Sequence, residues 1–224
     1  MTNASDPTQD PRPLFAKALE IATPIINAVT ADQYGLPTPC PDYDVQGLFG
    51  HLLFALDRVG SLPTGHAADS DETTIASTDW SADWLSTTEA TLQAWADDAL
   101  LAKVVVLPWA TMTGAEALGT YTSEITNHTW DLAHATGQTV QWDDDVCRLS
   151  LASMQRELPM ADRTPMWAGF LAHAPADFVF AAPFANAVTV PDDASLIDQL
   201  LAWCGRKPRA SVGFVGSVGS AADA

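Results

Sequence analysis

The sequence has few basic residues, few cysteines and no long apolar run. Ten Lys+Arg stand against 28 Asp+Glu in 224 residues, a formal net charge of −18. A surface that acidic repels phosphate backbones and anionic membranes, which argues against a nucleic-acid partner and leaves a solvating surface as the simplest reading of the charge. No stretch of 18 or more apolar residues occurs, so no membrane-spanning helix is expected. The opening MTNASDPTQD is polar and lacks a charged n-region followed by an apolar one, so it does not read as a signal peptide. Cysteine occurs at Cys40, Cys147 and Cys204, scattered and without a C-x-x-C pair. Nothing there suggests a disulfide framework, and a reducing cytoplasm is the expected location. There is no internal repeat.

Hydrophobic residues make up 47% of the chain, enough for one ordinary domain with a real core, or one domain plus a small appendage. Residues 1–10 read as a disordered start. Asp10 and Pro11 then suit the cap and first position of a helix. Leu14, Ala18, Ile21, Ile25, Ile26 and Val29 recur at helical spacing, predicting a helix over 11–30 that Pro24 should kink or divide. A proline-rich link leads to Asp44, the cap of a second helix from Val45 to about Gly60. Its apolar positions are Leu48, Phe49, Leu52, Leu53, Leu56 and Val59, with His51 beside them. Residues 61–78 are a polar linker that carries His66 on a loop. A third helix opens at Asp79 or Ser81 and ends near Leu101, with Trp84, Leu85, Leu92 and Trp95 on one side. KVVVLPWATM is too short and too β-branched for a helix; it reads as an extended segment or hairpin arm, with Pro108 confining it to an edge or to no regular pairing.

Thr113-Gly-Ala-Glu116 has the form of a capping box, and Gly137 is a suitable stop, so a fourth helix fills the interval. A fifth follows from Asp143 to Leu158, with three aspartates at the positive end of its dipole. Residues 159–193 look irregular, with Phe178–Phe180 or Ala187–Val190 as candidate short strands. A last helix is expected over Ala194–Cys204, before a Gly/Ser/Ala-rich flexible tail at 209–224. The fold class is therefore mainly α: a four-helix bundle over 11–137, with a C-terminal extension or small cap over 138–208 of irregular α(+β) character.

Five histidines occur in all, so position matters more than number. Glu124 and His128 lie four residues apart on the fourth helix, about 40° apart around its axis and so on one face. If the second and fourth helices face each other, His51 joins them, giving two imidazoles and one carboxylate. Three protein ligands with positions left open is the pattern of a catalytic metal site, whereas structural zinc is usually closed by four. A facial set of two histidines and one carboxylate can also hold iron(II), so ligand type alone does not fix the metal; zinc is the leading expectation, with nickel and iron(II) as the alternatives. Each part has a plainer reading: His51 as a hydrogen-bonded core histidine, and Glu124–His128 as an ordinary i,i+4 pair. His134, about 120° around the helix from His128, falls outside the set. Asp131 could orient the His128 ring, or be a solvated helix residue. Cys40 sits where a helix dipole favours a thiolate, but the Pro-Cys-Pro turn accounts for it structurally. Trp109, Trp130 and Trp167 are candidate pocket residues, though core packing explains most of the eight tryptophans.

Two segments, TPCPDYDVQGLFGHL (38–52) and YTSEITNHTWDLAHATG (121–137), resemble the two signatures of the mycothiol-dependent maleylpyruvate isomerase N-terminal domain, a family of DinB-like metal-binding four-helix bundles. The ending VPDDASLIDQLLAWCGRKP (190–208) is similar to an actinobacterial branch of that family whose individual activities are mostly undefined. The resemblance covers roughly residues 11–208. It implies metal ligands at His51, Glu124 and His128, a divalent ion, and mycothiol as a thiol cosubstrate. The isomerases carry a distinct C-terminal domain that helps to bind a dicarboxylate. Residues 138–224 show no evident match to it and hold few basic residues, which argues against isomerase activity on maleylpyruvate.

An ion at such a site would hold a thiol as thiolate. Adding the thiolate to an activated double bond and expelling it makes an isomerase; displacing a leaving group makes a thiol transferase. The expected partners are a small-molecule thiol and an electrophilic substrate, and the chain is expected to be a monomer or homodimer. The competing class is a non-catalytic metal-binding or stress-related bundle; a bundle without any metal role is the third.

Overall fold

The computed structural model describes residues 10–65, 77–172, 182 and 184–208. Among them, helices dominate, and the one sheet is a two-stranded hairpin. The order is α1 (Arg12–Asn27), α2 (Val45–Ser61), α3 (Trp80–Ala94), β1 (Val104–Leu107), β2 (Ala110–Thr113), α4 (Gly114–Thr136), α5 (Asp144–Glu157), α6 (Thr164–Leu171) and α7 (Leu196–Trp203). Helix α4 packs against both α1 and α2, and α3 closes the ring by packing on the same two helices. Helix α5 lies on the other flank of α4, and α7 lies on α5. None of the described helices is long and apolar enough to cross a membrane.

The helix starts follow from side chains that satisfy amides left free in the first turn. Asp44 accepts from Gly47 N at 2.8 Å, Asp79 from Ala82 N at 3.0 Å, and Asp143 from Val146 N at 3.1 Å. At α4 the capping box closes in both directions, with Glu116 N reaching Thr113 Oγ1 at 3.3 Å and Thr113 N reaching Glu116 Oε2 at 2.8 Å. Gly137 ends that helix at φ 73°, where a side chain would be strained. At α1 the cap residue is Pro11 rather than Asp10, although Asp10 Oδ1 still accepts from Arg12 N at 2.9 Å.

Several expectations are corrected. Pro24 does not divide α1: it falls in the last turn, and the carbonyl left without its usual donor belongs to exposed Glu20, which solvent can reach. Helix α3 stops at Ala94, short of Leu101, because other groups take over the chain there. Arg12 binds the Trp95 and Ala96 carbonyls at 3.3 and 2.9 Å, and Asp97 caps a separate 3-10 turn over Asp98–Ala102. The segment after it is a complete hairpin, β1 pairing β2 from Val104↔Thr113 to Leu107↔Ala110, with Pro108-Trp109 as its two-residue loop. Pro108 thus avoids the ladder altogether. Thr164–Leu171, expected to be irregular, is helix α6, whose Pro165 occupies the first turn, where a missing N–H costs nothing. Ala187–Val190 forms no strand; Val188 N instead reaches the Ala202 carbonyl at 2.8 Å. The other candidate strand, Phe178–Phe180, lies outside the described residues, as do His66 and most of its linker.

Two apolar clusters hold the helices together. The larger joins α1–α4 through side chains such as Phe15, Leu19, Leu52, Leu56, Trp84, Trp95, Leu118 and Ile125, and includes Val146 from α5. Its two most deeply buried tryptophans also satisfy their indole N–H groups: Trp84 donates to Thr23 Oγ1 and Trp95 to the Val59 carbonyl, both at 2.9 Å. The smaller cluster joins α5 and α7 through Met154, Leu158, Leu200 and Cys204. Arg163, fully buried, ties this part together by donating to the Ala185 and Trp203 carbonyls.

Candidate metal centre

Helix α4 is central and largely buried, yet its sequence is rich in hydroxyls. They are hidden at little cost because they bond to carbonyls one turn back in the same helix. Thr122, Thr126 and Thr129 reach the Leu118, Thr122 and Ile125 carbonyls, each at 2.7 Å. Ser123 serves the Gly119 carbonyl and the Ser150 carbonyl of α5. On the side facing α2, the same helix carries Glu124 and His128.

Helix α2 supplies His51, and the three side chains converge. Glu124 Oε1 stands 2.6 Å from His51 Nε2 and 3.3 Å from His128 Nε2. One ligand atom from each residue lies within 4.8 Å of the other two. The imidazole rings meet edge to face, at 83° and 4.8 Å between centroids. Side-chain exposure is 16% for His51, 28% for Glu124 and 7% for His128, so the cluster opens to solvent through the carboxylate. Its surroundings set its charge state. Burial would push the Glu124 carboxyl up, but the His128 and His51 rings outweigh it and hold the carboxyl well below the usual range. Burial likewise opposes charge on His128, and the Glu124 and Asp131 carboxylates overcome it, raising the imidazole.

Both imidazoles are oriented from behind. His128 Nδ1 lies 2.9 Å from Asp131 Oδ2, and His51 Nδ1 lies 3.1 Å from the Tyr43 hydroxyl. With each Nδ1 occupied, each Nε2 is directed at Glu124. This is the arrangement metal-binding histidines adopt, one nitrogen toward the ion and the other held by an outer partner. Donor atoms bonded to one ion at about 2.1 Å stand roughly 3 Å apart, close to the two separations from Glu124 Oε1. Two imidazoles and one carboxylate, with a solvent-facing side, could therefore hold a divalent ion and keep positions for other ligands.

His51, Glu124 and His128 come together. His134 does not join them; it packs on Trp130, ring centroids 4.8 Å apart. Asp131 is not solvated but fully buried, and Arg206, from the segment after α7, grips it with Nη2 to Oδ2 at 2.6 Å and Nε to Oδ1 at 2.9 Å. Cys40 is not primed as a thiolate: burial, then Asp131, pushes its thiol up to about 11. Trp109 is exposed on the hairpin loop, 5.8 Å from the Arg58 guanidinium, and Trp167 packs in the α5–α7 cluster. Sequence reasoning missed Tyr43 and Arg206. Tyr43 was legible in principle, since it directly precedes the Asp44 cap in a turn knitted by Thr38, whose hydroxyl spans the Cys40 and Tyr43 carbonyls at 2.9 and 2.7 Å. Arg206 had no local signal, because its partner lies 75 residues away. Tyr121, one turn before Glu124, was also missed; its hydroxyl is buried with the Arg58 guanidinium beside it.

Comparison with known proteins gives the same direction. Two uncharacterized proteins of Mycobacterium tuberculosis, from two strains, are each 26% identical to the chain over 200 residues, 89% of this chain and 100% of theirs. No solved structure matches the chain. The family model of the mycothiol maleylpyruvate isomerase N-terminal domain matches residues 15–133, just over half of the chain, a stretch that contains all three converging side chains. With that match over the helices that carry His51, Glu124 and His128, the chain belongs to the mycothiol maleylpyruvate isomerase N-terminal domain family.

Proposed function

We propose that His51, Glu124 and His128 hold a divalent metal ion, zinc in the first instance, and that the protein is a mycothiol-dependent enzyme of thiol-transferase or isomerase-like type. The observation that carries the reading is the convergence of two imidazoles and one carboxylate, both imidazoles fixed from behind and the carboxylate side open to solvent. When bound there, the cation supplies a thiol held as thiolate at neutral pH and a polarising charge beside it.

The chain's own residues do the rest. Tyr43 and Asp131 fix the two rings, so the donors are in place before any ligand arrives. The nucleophile comes from outside, since burial holds the thiols of Cys40, Cys147 and Cys204 protonated, at about 11, 12 and 11. All three cysteines are free, which suits a reducing cytoplasm.

The test begins with metal analysis of the purified protein and of His51→Ala. One equivalent of metal in the wild type and its loss in the variant is the expected result; full metal retention in His51→Ala overturns the site. Conjugation of mycothiol to a panel of electrophiles then tests the reaction. Turnover that requires the metal supports the enzyme, and metal binding without thiol binding or conjugation points instead to a non-catalytic metal-binding bundle.

A further inference from the structure

The chain leaves α7 through a defined stop. Gly205 N reaches the Ala202 carbonyl at 3.0 Å and Arg206 N reaches the Leu201 carbonyl at 2.8 Å, the paired bonds of a Schellman cap. Gly205 sits at φ 80°, and a Cβ there would meet Ala185 Cβ at 2.9 Å, so both conformation and space call for glycine. This turn delivers Arg206 to the back of α4. There the guanidinium is nearly buried, at 11% exposure, against a carboxylate at 0%. Three contacts join them, Nη2–Oδ2 at 2.6 Å and Nε to Oδ1 and Oδ2 at 2.9 and 3.2 Å. The same Oδ2 is the atom 2.9 Å from His128 Nδ1.

We infer that Arg206 is a positioning residue of the metal centre, acting on His128 through Asp131, so that the end of α7 is part of the site rather than a covering over it. This rests on the metal reading given above. The physical case is that a buried carboxylate is tolerated only when its charge is met. Without Arg206, nothing holds the Asp131 carboxylate in its plane, and the contact that aims His128 loses its anchor. With Arg206 in place, two of the fork's N–H groups fix the plane of the carboxylate, and the plane fixes the ring. Lysine could supply the charge but not the plane. Arg163 supports the arrangement at the next step out, since its bonds to the Ala185 and Trp203 carbonyls hold the turn that carries Arg206.

The test measures zinc affinity by chelator competition, the absorption spectrum of the cobalt(II) form, and melting temperature, for the full chain and for Asp131→Asn, Arg206→Met, Arg206→Lys and the Asp131→Asn/Arg206→Met pair. Zinc affinity should fall about tenfold to a hundredfold in Asp131→Asn and Arg206→Met, the range found for outer partners of metal ligands. The pair should lose little more than either change alone, because one acts through the other. Arg206→Lys should recover most of the melting temperature but only part of the affinity, with a shifted cobalt spectrum. A purely structural arginine would lower the melting temperature of Arg206→Met while zinc affinity and spectrum stay at wild type, and that outcome overturns the inference. If Arg206→Met does not fold, the same cycle run with Arg206→Lys decides. If the wild type binds no zinc, the metal reading fails on its own. The His128 ring ¹⁵N resonances in Arg206→Lys then judge the positioning role, and resonances unchanged from wild type overturn it.

Discussion

Tyr43 and His51 meet twice: their rings stack at 4.8 Å between centroids with 27° between planes, and the phenol oxygen lies 3.1 Å from Nδ1. Asp131, in contrast, meets His128 through a charged oxygen. The two imidazoles are thus held by unequal partners, and a neutral hydrogen bond is worth roughly half a charge-assisted one. Tyr43→Phe keeps the stacked ring and removes only the hydroxyl. It should weaken zinc binding about fivefold, the equivalent of one ordinary hydrogen bond of about 1 kcal/mol. Competition titration beside Asp131→Asn checks this; an equal or larger loss in Tyr43→Phe would contradict the ranking.

Gly114 opens α4 against the end of the preceding 3-10 turn. A Cβ there would stand 2.2 Å from the Leu100 carbonyl oxygen and 2.7 Å from Trp95 Cζ3. Neither can give way cheaply, because one is backbone and the other is a fully buried indole. Gly114→Ala should destabilise by about 2–3 kcal/mol despite alanine's better helix propensity. Gly119→Ala makes one close contact, with the Ser153 hydroxyl at 2.6 Å, which is a side-chain end and can rotate. Urea unfolding of both should rank Gly114→Ala as clearly the less stable.

Glu157 lies at the end of α5 with its carboxylate on the Thr120 hydroxyl. Burial raises its pKa, and the hydrogen bond from Thr120 and the Arg156 charge only partly offset this. A raised carboxyl means that the native state holds the proton more tightly than the unfolded chain. Its contribution is therefore complete below the ordinary carboxylate pKa of about 4.3 and is lost as pH rises through the native value. Glu157→Gln removes that dependence. Its melting temperature should match the wild type near pH 4 and exceed it at pH 8; a lower value at pH 8 would show that the ionised side chain is an asset.

The sequence carried the bundle well where signals were local. Asp44, Asp79, Asp143 and the Thr113–Glu116 box each start the helix they announce, because a cap is a contact between residues two or three apart. The convergence of His51 with Glu124 and His128 followed from helical spacing plus one assumption, that α2 faces α4. What stayed hidden was long-range. Nothing near Trp95 says that Arg12 will take its carbonyl and end α3, and nothing near Arg206 names Asp131. Pro24, expected to kink or divide α1, stands in its last turn, where the fold can spare its bond.

The hydroxyl ladder of α4 bears on motion as well as on packing. Helices whose polar side chains seek partners elsewhere open when those partners leave; this one carries its own partners along its length, from Thr122 to Thr129, while four other helices or turns press on it. Amide hydrogens between Leu118 and Leu132 should accordingly exchange with deuterium only on global unfolding, later than those of the β1–β2 hairpin. Two of the three converging side chains would then ride on the last segment of the molecule to loosen, and the third, His51, on the helix packed against it.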